Sequence, residues 1–239
     1  MGHGTLLVHP GDEFRVEAEN VAEGYFVCEL RGDTLVIEDK WRESWVQNLT
    51  RSLSSLVYEP FVRVCVPKSA KLRNSNIRVS AGECNIDELS AERFSVALSA
   101  GSMQAMDIRA DEFVSNISAG KCRIEGLITE KATASISTGE LRIEEIYAHQ
   151  LRVNQSVGAS FIRGDILERG TFDCGVGRME VGLEGRPLNS YEISVEVAIG
   201  SVSVNGSRYS GNIRTSNGSG DSKIKLKCGV GEIVMSVME

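Results

Sequence analysis

The most constraining feature of this 239-residue sequence is a glycine that returns every 19 residues. Six segments of similar sequence carry it, among them IRVSAGECNI, SNISAGKCRI and ASISTGELRI. Their glycines are Gly82, Gly101, Gly120, Gly139, Gly158 and Gly177, and two less regular copies follow at Gly200 and Gly231. A fixed period of this length is typical of a repeat architecture in which each copy is one structural unit.

Within each copy the apolar residues alternate with polar ones, which is the period of a β-strand rather than of an α-helix. One apolar column lies two residues after the glycine and another lies four residues after it. The first contains Cys84, Met103, Cys122, Leu141 and Met179, and the second contains Ile86, Ala105, Ile124, Ile143, Ile162 and Val181. At about 3.3 Å per residue, one 19-residue copy traces about 60 Å, the length of one coil. The sequence therefore predicts an all-β fold, a single-stranded β-solenoid (β-helix) of about eight rungs.

The start of the repeat divides the chain into two regions. Residues 1–72 are predicted to form an N-terminal cap with irregular first rungs, and residues 73–239 the β-solenoid repeats. We expect the two to make one continuous structural domain, because a solenoid needs a cap on its open end.

The cap region contains one helical pattern. Trp41, Trp45 and Leu49 begin a run of apolar residues at helical spacing, which predicts a short amphipathic helix over residues 41–57. In one interpretation its apolar side covers the open end or flank of the solenoid. In the other, Trp41, Trp45 and Leu49 contact a partner protein or a membrane surface.

The C-terminal region suggests a loop and a free edge. Residues 210–222 are rich in Gly, Ser and Asn, which predicts a long loop inserted before the last rung. The final strand, EIVMSVME, has no recognisable cap. Because an unpaired strand edge is a template for association, we expect this end to support a homo-oligomer formed through the solenoid ends.

The sequence contains no recognisable catalytic constellation. His3, His9 and His149 are scattered and match none of the usual metal or triad motifs. The six cysteines include no CxxC pair, and each lies among aliphatic residues, so we expect small buried strand residues. The interpretation is that the protein is not an enzyme and has no catalytic residue, metal ligand or cofactor.

Charge and hydropathy exclude two further classes. With 26 Lys and Arg against 33 Asp and Glu, the net charge is −7, which argues against a nucleic-acid partner. No apolar run has the length of about 18 residues that a transmembrane helix needs, and the N-terminus lacks the basic and apolar segments of an export signal. The sequence as given indicates a cytoplasmic chain, and the compartment stays open between the cytoplasm and the cell envelope.

Two columns of polar residues run along the predicted rod. The serine ladder, two residues before each glycine, consists of Ser80, Ser99, Ser118, Ser137 and Ser156. It either presents hydroxyls to a glycan or protein partner or satisfies backbone groups at the turn. The acidic column, ten residues after each glycine, consists of Glu92, Asp111, Glu130, His149 and Glu168. We interpret it as a solvated corner in preference to a calcium site.

The segment FVRVCVPKSAKLRNSNIRVSAGECNID, the repeated S-x-G units and the closing KIKLKCGVGEIVMSV together resemble a known family. It is the bacterial putative-adhesin domain of unknown function, a β-solenoid family related to the head-GIN putative adhesins. The resemblance covers the chain from about Gly11 onward. It implies a non-catalytic protein of the cell envelope or its stress response, and it supplies no established ligand and no catalytic residue to carry over.

Two functional hypotheses follow. The first is a non-catalytic binding or scaffolding β-solenoid, adhesin-like and associated with the bacterial cell envelope, with a protein or glycan partner. The alternative is an intracellular regulatory or assembly module that acts through protein–protein contacts of the helix at residues 41–57.

Overall fold

The computed structural model describes residues 4–21, 24, 26–39 and 59–238, and nearly all of them lie in β-strands. The strands are β1 (Thr5–Gly11), β2 (Arg15–Glu19), β3 (Phe26–Arg31), β4 (Thr34–Asp39), β5 (Phe61–Pro67), β6 (Leu72–Glu184), β7 (Tyr191–Val197), β8 (Ser201–Val204), β9 (Ser207–Ser210), β10 (Ile213–Asn217) and β11 (Ser222–Met238). Apart from a 3₁₀ turn at Leu188–Ser190, no helix occurs in these described ranges. The predicted helix with Trp41, Trp45 and Leu49 lies outside them. The all-β prediction is confirmed.

The 19-residue copies of β6 coil so that equivalent residues stack. The two apolar columns predicted after each glycine point inward, and every one of their residues is buried. Further inward positions hold Phe94 and Phe113, whose rings meet edge to face with centroids 5.5 Å apart. The core is therefore a set of ladders that runs the length of the coil.

The repeated glycines stack as well, and their stacking explains why they are glycines. Gly139 has a φ of +134°, and a Cβ on it would lie 1.9 Å from the carbonyl oxygen of Gly120. A side chain is thus excluded by the backbone of the neighbouring rung as well as by conformation. In spatial order the ladder contains Gly4, Gly82, Gly101, Gly120, Gly139, Gly158, Gly177, Gly231 and Gly200.

This order shows that the N-terminal strand is inserted into the stack. On one side β1 pairs in parallel with β5, with Leu6 opposite Val62. On its other side β1 pairs in parallel with the first regular copy, with Leu6 opposite Cys84. Residues 5–8 therefore separate β5 from the copy that follows it in sequence, and they bury Leu6 and Val8 in the core.

The C-terminal strand is inserted in the same way. It pairs in parallel with the last copy of β6, with Ile233 opposite Met179. Its opposite edge pairs in parallel with β7 and β8, with Ile233 opposite Val202. The last strand in sequence is thus an interior strand of the stack.

A cluster around Arg186 holds the chain where it crosses over this inserted strand. The Arg186 guanidinium donates hydrogen bonds to Asp165 Oδ1 at 3.1 Å and to Ser222 Oγ at 2.7 Å. It also donates to the carbonyl oxygen of Leu167 at 3.2 Å and lies 5.1 Å from the ring centroid of Tyr191. Because Ser222 begins β11 and Tyr191 begins β7, one side chain joins both strands to the coil.

Antiparallel strands cover the two ends of the stack. At the N-terminal end β2 pairs with β5, and at the C-terminal end β9 pairs with β8 and β10 pairs with β7. Strands β3 and β4 form a separate two-stranded hairpin. Such short antiparallel strands limit edge-to-edge association.

Three expectations require correction. The count of eight rungs is not supported, because the glycine ladder also includes Gly4 of the N-terminal strand. The final strand has no free edge, because it is paired on both sides. Residues 210–222 are not one long loop, because they contain β10, which pairs with β7. Oligomerisation through the solenoid ends stays a prediction.

Candidate functional site

Each regular coil turns at three corners. The side of the coil between the second and third corners is very narrow. The first corner is the repeated glycine. The second lies six residues later, where Glu88, Asp107, Gly126 and Glu145 all have positive φ. The third is the acidic column, ten residues after the glycine. Between the second and third corners a coil has only three residues, and the middle one points outward. We call this side of the coil the narrow face.

The outward column of the narrow face is polar in its first two rungs and apolar in the next two. It consists of Ser90, Arg109, Ile128 and Tyr147. Ile128 and Tyr147 lie on neighbouring rungs and are 46% and 47% exposed. They line a groove of about 200 Å³, together with Lys71, Asp111, Glu130 and His149. Large apolar side chains rarely stand this exposed without a reason when they are contiguous.

Acidic side chains border this apolar strip on both sides. On one side lie Asp107 and Glu145 at the second corner, and on the other lie Asp111 and Glu130 of the acidic column. Lys71, which precedes the first regular copy, reaches Asp111 with Nζ 3.0 Å from Oδ2. The groove therefore combines an apolar floor with carboxylates that accept hydrogen bonds.

His149 links three rungs of the acidic column. Its Nδ1 lies 3.0 Å from Glu168 Oε1, and its Nε2 lies 3.7 Å from Glu130 Oε2. The hydrogen bond with Glu168 raises the pKa of His149, and the charge of Glu130 acts in the same direction. The hydrogen bond with His149 in turn lowers the pKa of Glu168. The imidazole lies on the rung between these two carboxylates and thus reduces their mutual repulsion across two strand spacings.

The lining of the groove suits contact with a ligand. Among the residues the structure describes, no group of His, Cys, Asp and Glu is arranged to hold a metal ion. The lining of the groove contains no thiol. An aromatic ring beside an aliphatic side chain contacts apolar ligand surface, while carboxylates fix the orientation of hydroxyl or amino groups.

A second groove of about 430 Å³ lies at the C-terminal end, between β7, β10 and β11. Its central carboxylate, Glu196, already lies 3.3 Å from Arg214 and 3.8 Å from Lys227. The lining of this groove contains no aromatic side chain, so it offers a ligand less flat apolar surface than the narrow face does.

The serine ladder lies at the glycine corner, away from the narrow face. Ser99, Ser118, Ser137 and Ser156 are exposed and Ser80 is half-buried. Within the described ranges these hydroxyls make no hydrogen bond to protein, so they are available to a partner. The other predicted contact surface lies outside the described residues. It consists of Trp41, Trp45 and Leu49.

Sequence reasoning identified the acidic column but missed the apolar strip beside it. The signal was present, because stacking the copies places Ile128 and Tyr147 at an outward position of the strand pattern. Two large apolar residues at consecutive outward positions depart from the alternation, as Val157, Val176 and Val230 also do at the glycine corner.

A coil of stacked strands around a core of ladders defines the class of all-β solenoids. Residues 12–164 match the family model described as Toastrack DUF4097. The match covers more than half of the chain, and the protein belongs to the Toastrack family, a domain of unknown function. The relationship to head-GIN adhesins stays a prediction.

Further comparisons add little to this assignment. A crystal structure of a putative cell adhesion protein from Clostridium sporogenes is similar, with 14% identity and a TM-score of 0.31. The similarity covers 99% of this chain and 89% of that one. No protein with a curated description matches. Within the described ranges, the structure contains no helix long and apolar enough to cross a bilayer.

Proposed function

We propose that this Toastrack protein is a non-catalytic, adhesin-like binding solenoid of the bacterial cell envelope, and that its narrow face binds a glycan. The observation that carries the proposal is the exposure of Tyr147 and Ile128 side by side between two acidic columns. A pyranose ring has an apolar C–H face and a rim of hydroxyls, and this pairing of surfaces matches it.

The combination of an aromatic ring with carboxylates in the groove favours a sugar over a purely apolar ligand. The Tyr147 ring supplies a large rigid contact area at low entropic cost. Glu130 and Asp111 present carboxylates that accept hydrogen bonds, and Asp111 already accepts one from Lys71. A ligand bound between them gains most if it carries several donors. Hydroxyl or amino groups around a sugar ring supply such donors. A hydrocarbon does not.

The rigidity of the scaffold also supports binding. The residues of the narrow face belong to strands that are hydrogen-bonded on both sides, and the inward neighbours Ala110 and Ala148 are buried. A preformed surface loses little conformational entropy when a ligand binds. Equivalent positions recur at about 4.8 Å along the coil, so the groove is suited to a repeating polymer.

A glycan array with purified protein tests the proposal. We expect saturable binding to a subset of glycans, loss of most binding in Tyr147→Ala, and retention in Tyr147→Phe, which keeps the ring. Val176→Ala is the matched control, because Val176 is 46% exposed at the glycine corner, away from the groove. Failure of every glycan to bind, or equal loss in the control, would refute the proposal.

The envelope location is tested separately. Protease treatment of intact source cells is expected to cleave the protein before lysis. If the protein survives until lysis, the intracellular assembly module becomes the better hypothesis. The proposal that the protein binds a glycan in the cell envelope would then be wrong about its location.

A further inference from the structure

The N-terminal end of the coil contains a thiol–imidazole pair that no local sequence motif indicates. His9 on β1 and Cys65 on β5 are register partners in the parallel pairing of these two strands. Cys65 Sγ lies 3.1 Å from His9 Nε2. The two residues are 56 positions apart in sequence, and only the insertion of β1 next to β5 brings them together.

A second contact determines which imidazole nitrogen faces the thiol. His9 Nδ1 lies 2.9 Å from the carbonyl oxygen of Pro10, an acceptor that requires a hydrogen on Nδ1. In the neutral ring, Nε2 is then the unprotonated nitrogen. It faces the thiol as an acceptor of the S–H proton. A nucleophile beside a base that is itself oriented by a third group is the arrangement that activates cysteine.

The surroundings leave this thiol accessible. Cys65 and His9 are both half-buried. Gly11 is beside the thiol, and a Cβ there would be 3.9 Å from Sγ, so the absence of a side chain leaves this side of the sulfur uncovered. On its other edge, Cys65 pairs with Arg15 of β2, whose guanidinium forms an ion pair with Glu17.

The other cysteines lack this arrangement. Cys84, Cys122, Cys174 and Cys228 are buried in the core. Burial raises the pKa of Cys84 to about 12 and that of Cys122 to about 12, which keeps both thiols protonated. Cys28 is exposed and forms no contact with an imidazole in the part of the chain that the structure describes. The expectation that every cysteine is a buried strand residue is therefore wrong for Cys28 and Cys65.

We propose that Cys65 is a nucleophilic thiol, activated by His9, that forms a mixed disulfide with low-molecular-weight disulfides. His9 Nε2 accepts the thiol proton, and Cys65 Sγ attacks one sulfur of the small disulfide. A new S–S bond forms between Cys65 and that sulfur, while the original S–S bond breaks. The departing thiolate takes the proton from His9 and leaves as a free thiol. Cys65 is oxidised and the departing sulfur is reduced. A free small thiol reverses the step.

Labelling kinetics of the whole, folded protein test the activation. Limiting iodoacetamide, quenched over time and read by peptide mass spectrometry, gives a rate for each cysteine in one sample. We expect Cys65 to react about tenfold or more faster than Cys28 at neutral pH. Cys28 serves as the internal reference, because it is exposed and contacts no imidazole among the residues that the structure describes. The core cysteines are expected to stay unlabelled, which also shows that the protein is folded.

The variant His9→Gln tests whether His9 acts as a base toward Cys65 or has only a structural role. Glutamine keeps a hydrogen-bonding side chain at this position but does not accept the thiol proton. We expect the Cys65 rate to fall close to that of Cys28, while the Cys28 rate and the protection of the core cysteines do not change. The pH profile of Cys65 labelling should differ in shape from that of Cys28 in the wild type and match it in His9→Gln.

Incubation with glutathione disulfide tests the mixed disulfide itself. The expected product is one glutathione adduct per chain, located on Cys65, absent in Cys65→Ser and removed by reduced glutathione. A Cys65 rate equal to or below that of Cys28, an adduct on Cys28 instead, or an unchanged Cys65 rate in His9→Gln would overturn the proposal.

Discussion

Gly231 is the register partner of Gly177, although Gly200 lies between them in sequence and carries the same position of the repeat. A Cβ on Gly200 would lie 2.1 Å from the carbonyl oxygen of Gly231, so Gly200 stacks on the outer side of Gly231. The spatial order of the last three copies is therefore not their sequence order. The C-terminal strand carries the contact between the regular coil and the strands that precede it in the chain.

Removal of β11 is consequently expected to disrupt more than the last rung. In a chain that ends at Gly220, β7 and β8 lose their parallel partner, and the last copy of β6 is left with an open edge. Hydrogen exchange read by mass spectrometry should show loss of protection in residues 191–204 as well as in residues 170–184. If residues 191–204 stayed protected, they would be stacked directly on the coil and the insertion of β11 would be wrong.

The core ladders were predictable because each inward column is a local pattern with a fixed period. The alternation around Cys84 or Ile124 tells which side chains are buried without any knowledge of strand order. The order itself depends on contacts between distant segments. Nothing in the pattern of β1 indicates that Leu6 lies opposite both Val62 and Cys84.

The same reasoning separates the two candidate sites. Ile128 and Tyr147 share one column of the repeat, so aligning the copies was enough to bring them together. His9 and Cys65 belong to two irregular strands outside the regular period, and their contact follows from the register of β1 against β5. A repeat predicts neighbours within its own columns only.

Substitution of a glycine in the stacked glycine ladder should strongly destabilise the fold. In Gly139→Ala the Cβ would lie 1.9 Å from the oxygen of Gly120, and the φ of +134° is unfavourable for alanine. We expect a loss of about 4 kcal/mol or more in the free energy of unfolding, measured by urea denaturation. Gly206→Ala is the control, because Gly206 has a φ of +84° but nothing lies within 4 Å of its Cβ position. It should lose about 1 kcal/mol from conformation alone. Equal losses in the two variants would contradict the steric argument.

Replacement of one corner residue by glycine should stabilise the fold. Glu145 has a φ of +55°, and Gly126 occupies the equivalent corner of the preceding rung. Glu145→Gly relieves the left-handed conformation, so we expect a gain of about 0.5–1 kcal/mol in the free energy of unfolding and a higher Tm. Glu83→Gly is the matched control, since Glu83 lies in a strand with ordinary φ and should lose about 0.5–1 kcal/mol. A loss of stability in Glu145→Gly would show that the corner is not strained.

The contact between His149 and Glu168 should make stability depend on pH in a defined window. The pKa of His149 is raised, so its contribution is complete below the ordinary value of 6.5 and is lost as pH rises through the raised value. The pKa of Glu168 is lowered, so its contribution is present above the ordinary value of 4.5 and is lost as pH falls through the lowered value. Both groups are therefore charged together in mildly acidic solution.

His149→Gln retains a hydrogen-bond donor but removes the charge. We expect the difference in urea midpoint between wild type and His149→Gln to be larger at about pH 5.5 than at about pH 8.5. The effect should be small and should shrink with added salt, because the Glu168 side chain is 58% exposed and solvent screens the pair. Gln150→Ala is the control, because Gln150 donates to Glu168 at 3.3 Å without carrying a charge, so its effect should not change between the two pH values. A midpoint difference for His149→Gln that is constant, or larger at the higher pH, would show that the ion pair does not contribute to stability.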